Sequence, residues 1–308
     1  SPISFRRVPP CTCLPRMHVQ VRQILPTGAR CAKHNRMNLS DFLPPRSALY
    51  LPASNARAIE KARGLQQDLV ILDLEDAVRP EDKAAARDAA VEAVVAGFAG
   101  KLAAIRINGA ETPWHAEDVS AVRASAADLF VVPKVESASE AAELSKQIGK
   151  PLLAMIETPA GVLNAPAIGA AQGVAGLIAG TNDLANALHL AHAGARGGMG
   201  LSLQMIVLAA RASGIWALDG VFNDLADPDG LAAQCAEGRM FGFDGKTLIH
   251  PNQIEIANRG FSPTATEIED ARALIAAASG GAERFRDRMI ETMHVEMAER
   301  LLARAGML

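Results

Sequence analysis

Charged and polar side chains gather at one kind of position in this chain, the ends of short apolar runs. Leu69–Leu72 leads into Asp73-Leu74-Glu75-Asp76, Ala103–Ile107 carries Arg106 and Asn108 at its end, and Leu129–Val132 is followed by Pro133-Lys134. Leu152–Ile156 ends in Glu157-Thr158, Gly176–Ala179 leads to Thr181-Asn182-Asp183, Trp216–Leu218 ends in Asp219, and Thr247–Ile249 in His250-Pro251. Glu157 and Asp183 follow consecutive runs and form the natural metal pair. An all-oxygen set with few protein ligands suits Mg2+, which keeps waters and takes further oxygens from a substrate; Mn2+ also fits. Either acid alone would be explained as well by a helix N-terminus, where carboxylates are favoured. Two of them beside Arg106 favour the metal. No His-Glu-x-x-His run suggests zinc.

Arg106 offers a rigid donor fork that matches a carboxylate, or it partners one of the acids around it. Glu75 and Asp76 can orient metal-bound waters or offset nearby cations, whereas Asp73 belongs to the strand end itself. Lys134 can neutralise a developing enolate or pair with Glu136. His250 can touch a ligand or cap the turn that follows it, and capping is the simpler role. Asp219 and Asn223 belong to the same rim, with no role that their spacing dictates.

These residues need a frame that brings run ends together. With Ser47–Leu51 there are eight apolar runs, alternating with segments of helical spacing such as Asn55–Gln67, Glu81–Val95, Ser137–Ile148, Leu201–Ser213 and Asp227–Phe241. Strand-then-helix alternation predicts parallel strands with crossover helices. Eight units predict an α/β fold of the closed (β/α)8 TIM-barrel type, whose chemistry sits at the C-terminal ends of its strands. An open doubly wound sheet is the runner-up, but Leu51-Pro52-Ala53-Ser54 is no glycine-rich phosphate turn. Gly97 is placed to end the second helix. The barrel is expected over residues 41–262. Residues 263–308 are expected as a C-terminal helical arm or lid, with helices over Pro263–Ala278 and Met289–Ala305 around a Gly280-Gly281 break.

The chain has 308 residues, 49% hydrophobic but only 4% aromatic, so small aliphatic side chains must fill the core. The net charge of −3 gives no reason to expect nucleic-acid binding. It is unevenly spread: residues 1–40 hold six Arg, one Lys and no acid, which leaves −10 on residues 41–308. That basic segment reads as sequence upstream of a true start at Met37, as an organelle transit peptide over residues 1–36, or as a binding arm, in that order. It also holds Cys11, Cys13 and Cys31, without the spacing of a zinc knuckle. Cys235 stands alone, so no disulfide framework is evident and a reducing compartment, the cytoplasm or an organelle matrix, is expected. No stretch has the length and apolarity of a membrane span.

In order along the chain, Arg46-Ser47-Ala48-Leu49-Tyr50-Leu51-Pro52, the stretch Asp68–Val78, Arg106-Ile107-Asn108, Val132-Pro133-Lys134-Val135-Glu136 and Ile156-Glu157-Thr158 resemble the citrate lyase β-subunit-like family of the HpcH/HpaI aldolase superfamily. Gly180-Thr181-Asn182-Asp183-Leu184, Gly242-Phe243-Asp244-Gly245-Lys246 and Ile249-His250-Pro251-Asn252-Gln253 continue the resemblance, which spans about residues 46–305. It implies a barrel that forms trimers or hexamers, and Mg2+ on Glu157 and Asp183 with waters and substrate oxygens completing the octahedron. It also implies Arg106 on the substrate carboxylate, with Glu75 and Asp76 supporting metal waters and substrate. Tyr50, Pro52, His250 and Pro251 would approach the carrier of a CoA-type thioester.

Relatives with malyl-CoA lyase-like activity carry a Met-Ile-Asp or Met-Val-Asp motif in the arm, and here it reads Met289-Ile290-Glu291. The added methylene matters, since a misplacement of about 1 Å can cost roughly 100-fold in rate. The expected reaction is retro-Claisen cleavage of a citryl-CoA or malyl-CoA type substrate to an oxoacid and an acetyl thioester, with Glu291 exchanging the acetyl proton. Alternatives are a class II aldolase on free hydroxy-oxo acids, an acyl-CoA thioesterase, and a non-catalytic subunit that works with an acyl carrier protein.

Overall fold

The computed structural model describes residues 42–191 and 196–307; the basic segment and its three cysteines lie outside the described residues. Eight parallel strands form a closed barrel: β1 Ser47–Pro52, β2 Leu69–Asp73, β3 Leu102–Arg106, β4 Leu129–Val132, β5 Leu152–Ile156, β6 Val174–Ala179, β7 Trp216–Asp219 and β8 Gly245–Leu248. Each pairs with the next, and β8 closes on β1 through Ser47↔Lys246, Ala48↔Thr247 and Leu49↔Leu248. All eight expected strands are present.

Alternation along the strands makes two apolar layers. Ala48, Ile71, Ala104, Val131, Leu153, Met155, Ile178, Trp216 and Leu218 pack together inside the barrel. Leu49, Val70, Leu72, Ile105, Phe130, Ala154, Leu177 and Ala217 face outward and pack with helix residues such as Ile59, Ala90, Leu144, Ile168 and Ile206. Both faces of each strand are therefore buried, which is why strands read as unbroken apolar runs.

The outer helices are α1 Ala56–Arg63, α2 Lys83–Ala96, α3 His115–Ala124, α4 Ala138–Ile148, α5 Pro159–Gly169, α6 Thr181–Ala187, α7 Gly200–Ser213, α8 Pro228–Phe241 and α9 Ile254–Gly260. Side chains cap several of them at their N-termini: Asn55 for α1, Ser137 for α4, Thr158 for α5 and Asp227 for α8. As expected, α2 stops at Gly97, whose φ of +77° an L side chain rarely adopts. Among the described residues no helix is long and apolar enough to cross a membrane.

Beyond the barrel lie α10 Ala265–Ala277, a hairpin of β9 Glu283–Phe285 and β10 Arg288–Ile290, and α11 Thr292–Arg304. Ala271, Leu274, Ile290, Ala298 and Leu302 give this arm a small apolar cluster of its own. The expected helix over Met289–Ala305 is corrected at its start. Met289 and Ile290 pair with Arg284 and Glu283 as strand, and the helix begins only at Thr292. Arg304 ties the arm to the barrel, donating to the carbonyls of Pro44 and Asp244, just ahead of β1 and β8. The arm thus ends on the face opposite the C-terminal ends of the strands.

Candidate active site

The strand ends enclose a cavity of about 280 Å3 lined by Tyr50, Asp73, Asp76, Arg106, Met155, Glu157, Ile178, Gly180, Asn182, Asp183, Val221, Thr247 and Ile249 among others. Most of the charged residues come from β2, β3, β5 and the turn after β6. Met155, Ile178, Val221 and Ile249 supply an apolar wall.

Asp73 and Arg106 are register partners at the ends of β2 and β3. Their side chains form a bidentate pair, with Arg106 Nε and Nη2 each donating to an Asp73 carboxylate oxygen at 2.6 Å. Arg106 Nη1 lies 2.6 Å from Glu75 Oε2 and 3.8 Å from Asp76 Oδ2. The guanidinium stacks over the Tyr50 ring, 4.9 Å from its centroid. Of the two roles open to Arg106, the structure thus displays the partnership with acids, and Nη1 is the end of the fork that Asp73 leaves to others. Burial works against the Arg106 cation, but Asp73 more than compensates and holds it charged. Asp73 does more than end a strand: it also accepts from the backbone N–H groups of Glu75 and Ala77, shaping the turn after β2.

Burial pushes the Glu75 carboxyl up to about 7, with Asp76 and Asp73 adding to the effect and Arg106 opposing it. Glu157 is pushed up to about 8, by burial first and then by the negative charge of Glu75, with Asp183 adding to it. Its Oε1 accepts the backbone N–H of Lys134 at 2.7 Å, which partly offsets that cost. Lys134 makes this bond from a left-handed conformation, φ +52°, that is sparsely populated outside glycine. Burial disfavours the Lys134 ammonium, but Asp183, Glu75, Glu157 and Asp76 together raise its pKa. Desolvation keeps the Tyr50 hydroxyl protonated.

Glu157 and Asp183 line the same cavity, each close enough to feel the other's charge. A Cβ on Gly180 would lie 2.3 Å from Glu157 Cβ and 2.4 Å from its Oε2, so only glycine leaves that carboxylate its place. A buried carboxylate that resists ionisation beside two other acids is a site that a cation relieves. Among the described residues no three His, Cys, Asp or Glu side chains are arranged to hold an ion between them. Two carboxylates with open positions for water fit Mg2+ rather than a closed structural site.

The other expected site residues are dispersed. Pro52 ends β1 half-buried and outside the cavity lining. His250 is exposed and caps the 3-10 turn Pro251–Gln253, its Nδ1 accepting from the Asn252 N–H at 3.2 Å. Ile249, their neighbour, is the residue of that segment that reaches the cavity. Glu291 lies on the arm, where it lines a separate space of about 310 Å3 with Ile275, Ile290 and Val295; its backbone N–H donates to His294 Nδ1. Asp219 is not a rim residue: it is fully buried behind the sheet, bound by Arg196 at 3.1 Å and Lys246 at 3.0 Å. Asn223 does sit at the mouth, where its amide pairs with Asn182 at 2.7 Å. Gly180, Met155 and Thr247 were not expected in the site. Strand parity could have found Met155, two residues before Glu157 on one face.

Residues 46–251 match the family model for HpcH/HpaI aldolase/citrate lyase. The chain is 44% identical over 271 residues to a (3S)-malyl-CoA thioesterase of Cereibacter sphaeroides, a match covering 85% of this chain and 95% of that relative. It is 31% identical over 304 residues to an L-malyl-CoA/beta-methylmalyl-CoA lyase of the same species, covering 86% and 96%. The crystal structure of protein CitE from Mycobacterium tuberculosis in complex with magnesium, acetoacetate and coenzyme A is similar with a TM-score of 0.75. Its sequence identity is 32%, over 86% of this chain and 98% of that one.

Proposed function

The chain belongs to the HpcH/HpaI aldolase/citrate lyase family, and from that premise we propose that it is a Mg2+-dependent enzyme that hydrolyses a malyl-CoA-type thioester. One observation carries the choice of hydrolysis. Arg106, Asp76, Glu157 and Asp183 share one cavity, whereas Glu291, the acid that carbon–carbon cleavage would use on the acetyl carbon, lines a different one. The 44% identity to a malyl-CoA thioesterase agrees with this reading.

Glu157 and Asp183 would hold the cation. Bound there, Mg2+ supplies Lewis-acid polarisation of a substrate oxygen. Arg106 Nη1 orients the substrate through a carboxylate or carbonyl oxygen, its other two donating nitrogens being fixed by Asp73. Asp76, exposed on the cavity wall, takes a proton from water as the water oxygen bonds to the thioester carbon. The carbon–sulfur bond breaks, the thiolate leaves with a proton, and the products are the free hydroxy acid and CoA. Glu75 balances the charge on Arg106 from behind the wall.

A second reading, carbon–carbon cleavage, draws on the 31% identity to a malyl-CoA lyase. It would need Glu291 from a neighbouring copy in a homo-oligomer. The deciding experiment incubates the protein with Mg2+ and malyl-CoA and measures free thiol, malate and glyoxylate. Hydrolysis predicts thiol and malate in equal amounts and no glyoxylate. Glyoxylate with acetyl-CoA would overturn it in favour of cleavage, and no turnover at all would sink both.

A further inference from the structure

Behind the active-site wall, between β2, β3 and the outer helices, lies a buried lysine that no step above uses. Lys83 opens α2, is 6% exposed, and directs its ammonium at three oxygens: the Leu74 carbonyl at 2.7 Å, the Glu75 carbonyl at 2.8 Å and Asn108 Oδ1 at 2.7 Å. The two carbonyls belong to the peptide groups on either side of Glu75, so the second sets the direction of the Asp76 backbone. Trp114 covers the ammonium, 5.1 Å from the ring centroid.

The ammonium is itself held. Asn108 Nδ2 donates to Asp118 Oδ2 at 2.6 Å, and the Asn108 N–H donates to the same oxygen at 3.0 Å. Asp118 Oδ1 accepts from Arg87 Nε at 2.7 Å, and Asp118 is 1% exposed. Arg87, Asp118, Asn108 and Lys83 thus form a buried chain that starts on α2 and α3 and ends on the turn after β2. A buried ammonium with all three protons engaged is costly to assemble and stiff once assembled. Ordinary loop closure does not require it, since Asp73 already accepts two backbone N–H groups of the same turn. Lys83 fixes the carbonyl side, and together the two side chains leave the Glu75–Asp76 peptide a single orientation.

We propose that Lys83 is a positioning residue, which acts through the backbone to hold the Asp76 carboxylate where water and substrate meet. This rests on the proposed role of Asp76, and the test separates the two. Turnover of malyl-CoA with Mg2+ is measured for the parent, Lys83→Met, Asp76→Asn and the double variant, with Mg2+ affinity followed by calorimetry without substrate. Asp76→Asn is expected to lower kcat about 100-fold. Lys83→Met is expected to lower kcat about tenfold, with KM and Mg2+ affinity within about twofold, and to add less than about twofold beside Asp76→Asn. A buried lysine that merely stabilises the fold would lower kcat by the same factor in both backgrounds, or weaken Mg2+ binding alongside, and either result overturns the inference. If Asp76→Asn alone leaves kcat unchanged, the role of Asp76 falls instead. Should Lys83→Met not fold, Lys83→Arg keeps the charge while misplacing its donors. A smaller loss in the parent that vanishes beside Asp76→Asn supports the inference, and equal losses in both reject it.

Discussion

Two residues decide how the site handles charge. Gly180 gives Glu157 room, and Gly180→Ala would drive a methyl into the Glu157 side chain. The expected outcome is at least about a tenfold loss of Mg2+ affinity in calorimetry, with far-ultraviolet circular dichroism unchanged. Glu75 and Glu157 are protonated in the folded protein up to about 7 and about 8. Unfolded, both release their protons near the ordinary carboxylate value. Over roughly pH 4.5 to 8 the folded state therefore binds more protons, and metal-free stability falls as pH rises, by at most about 1.4 kcal/mol per pH unit for each group. Melting temperatures across this window should fall without Mg2+ and flatten with it, as the cation replaces the Glu157 proton. Glu75→Gln should melt higher than the parent at pH 8. A metal-free melting temperature that rises from pH 5 to 8 would refute this account. The acids themselves were legible in the sequence because each stands at the end of an apolar run. The pairing of Arg106 with Asp73 was not, because three acids within four residues compete for one guanidinium and only the strand register selects between them.

At the scale of elements, legibility followed burial. The strands announce themselves because both faces are covered, and every expected run overlaps a strand. Some helices hide for the same reason. α5 contains Gly161 and Pro166 among apolar residues and packs against α7 as well as the sheet, so it shows no polar stripe. α6 spans only 7 residues, too few for a period to emerge. The buried ionic cluster of Arg196, Asp219 and Lys246 behind β7 and β8 was equally hidden, since parity alone assigns Asp219 to the outer face. Two cations share that one carboxylate, which makes it the vulnerable member. Asp219→Ala should cost roughly 3–5 kcal/mol, as expected when a buried ion loses its partner. Denaturant unfolding checks it, and a loss below about 1 kcal/mol would mean that water reaches the cluster.

For the whole molecule, the arm divides the work of the two barrel faces. Chemistry gathers at the C-terminal ends of the strands, while Arg304 grips the carbonyls of Pro44 and Asp244 at the other face. Arg304→Ala should loosen the arm and speed limited proteolysis between residues 263 and 307, leaving Mg2+ affinity unchanged. Weakened Mg2+ binding would show instead that the arm also shapes the mouth. The grip has a temporal side as well. The β1–β8 seam joins residues about 200 positions apart, the slowest kind of contact to form. A chain growing from the ribosome can pair seven strands in order as they emerge, yet it has no brace across the seam until Arg304 has been made. The lock on the barrel is thus delivered late, and a partly synthesised chain keeps a sheet that can still open, available to a chaperone for as long as translation lasts.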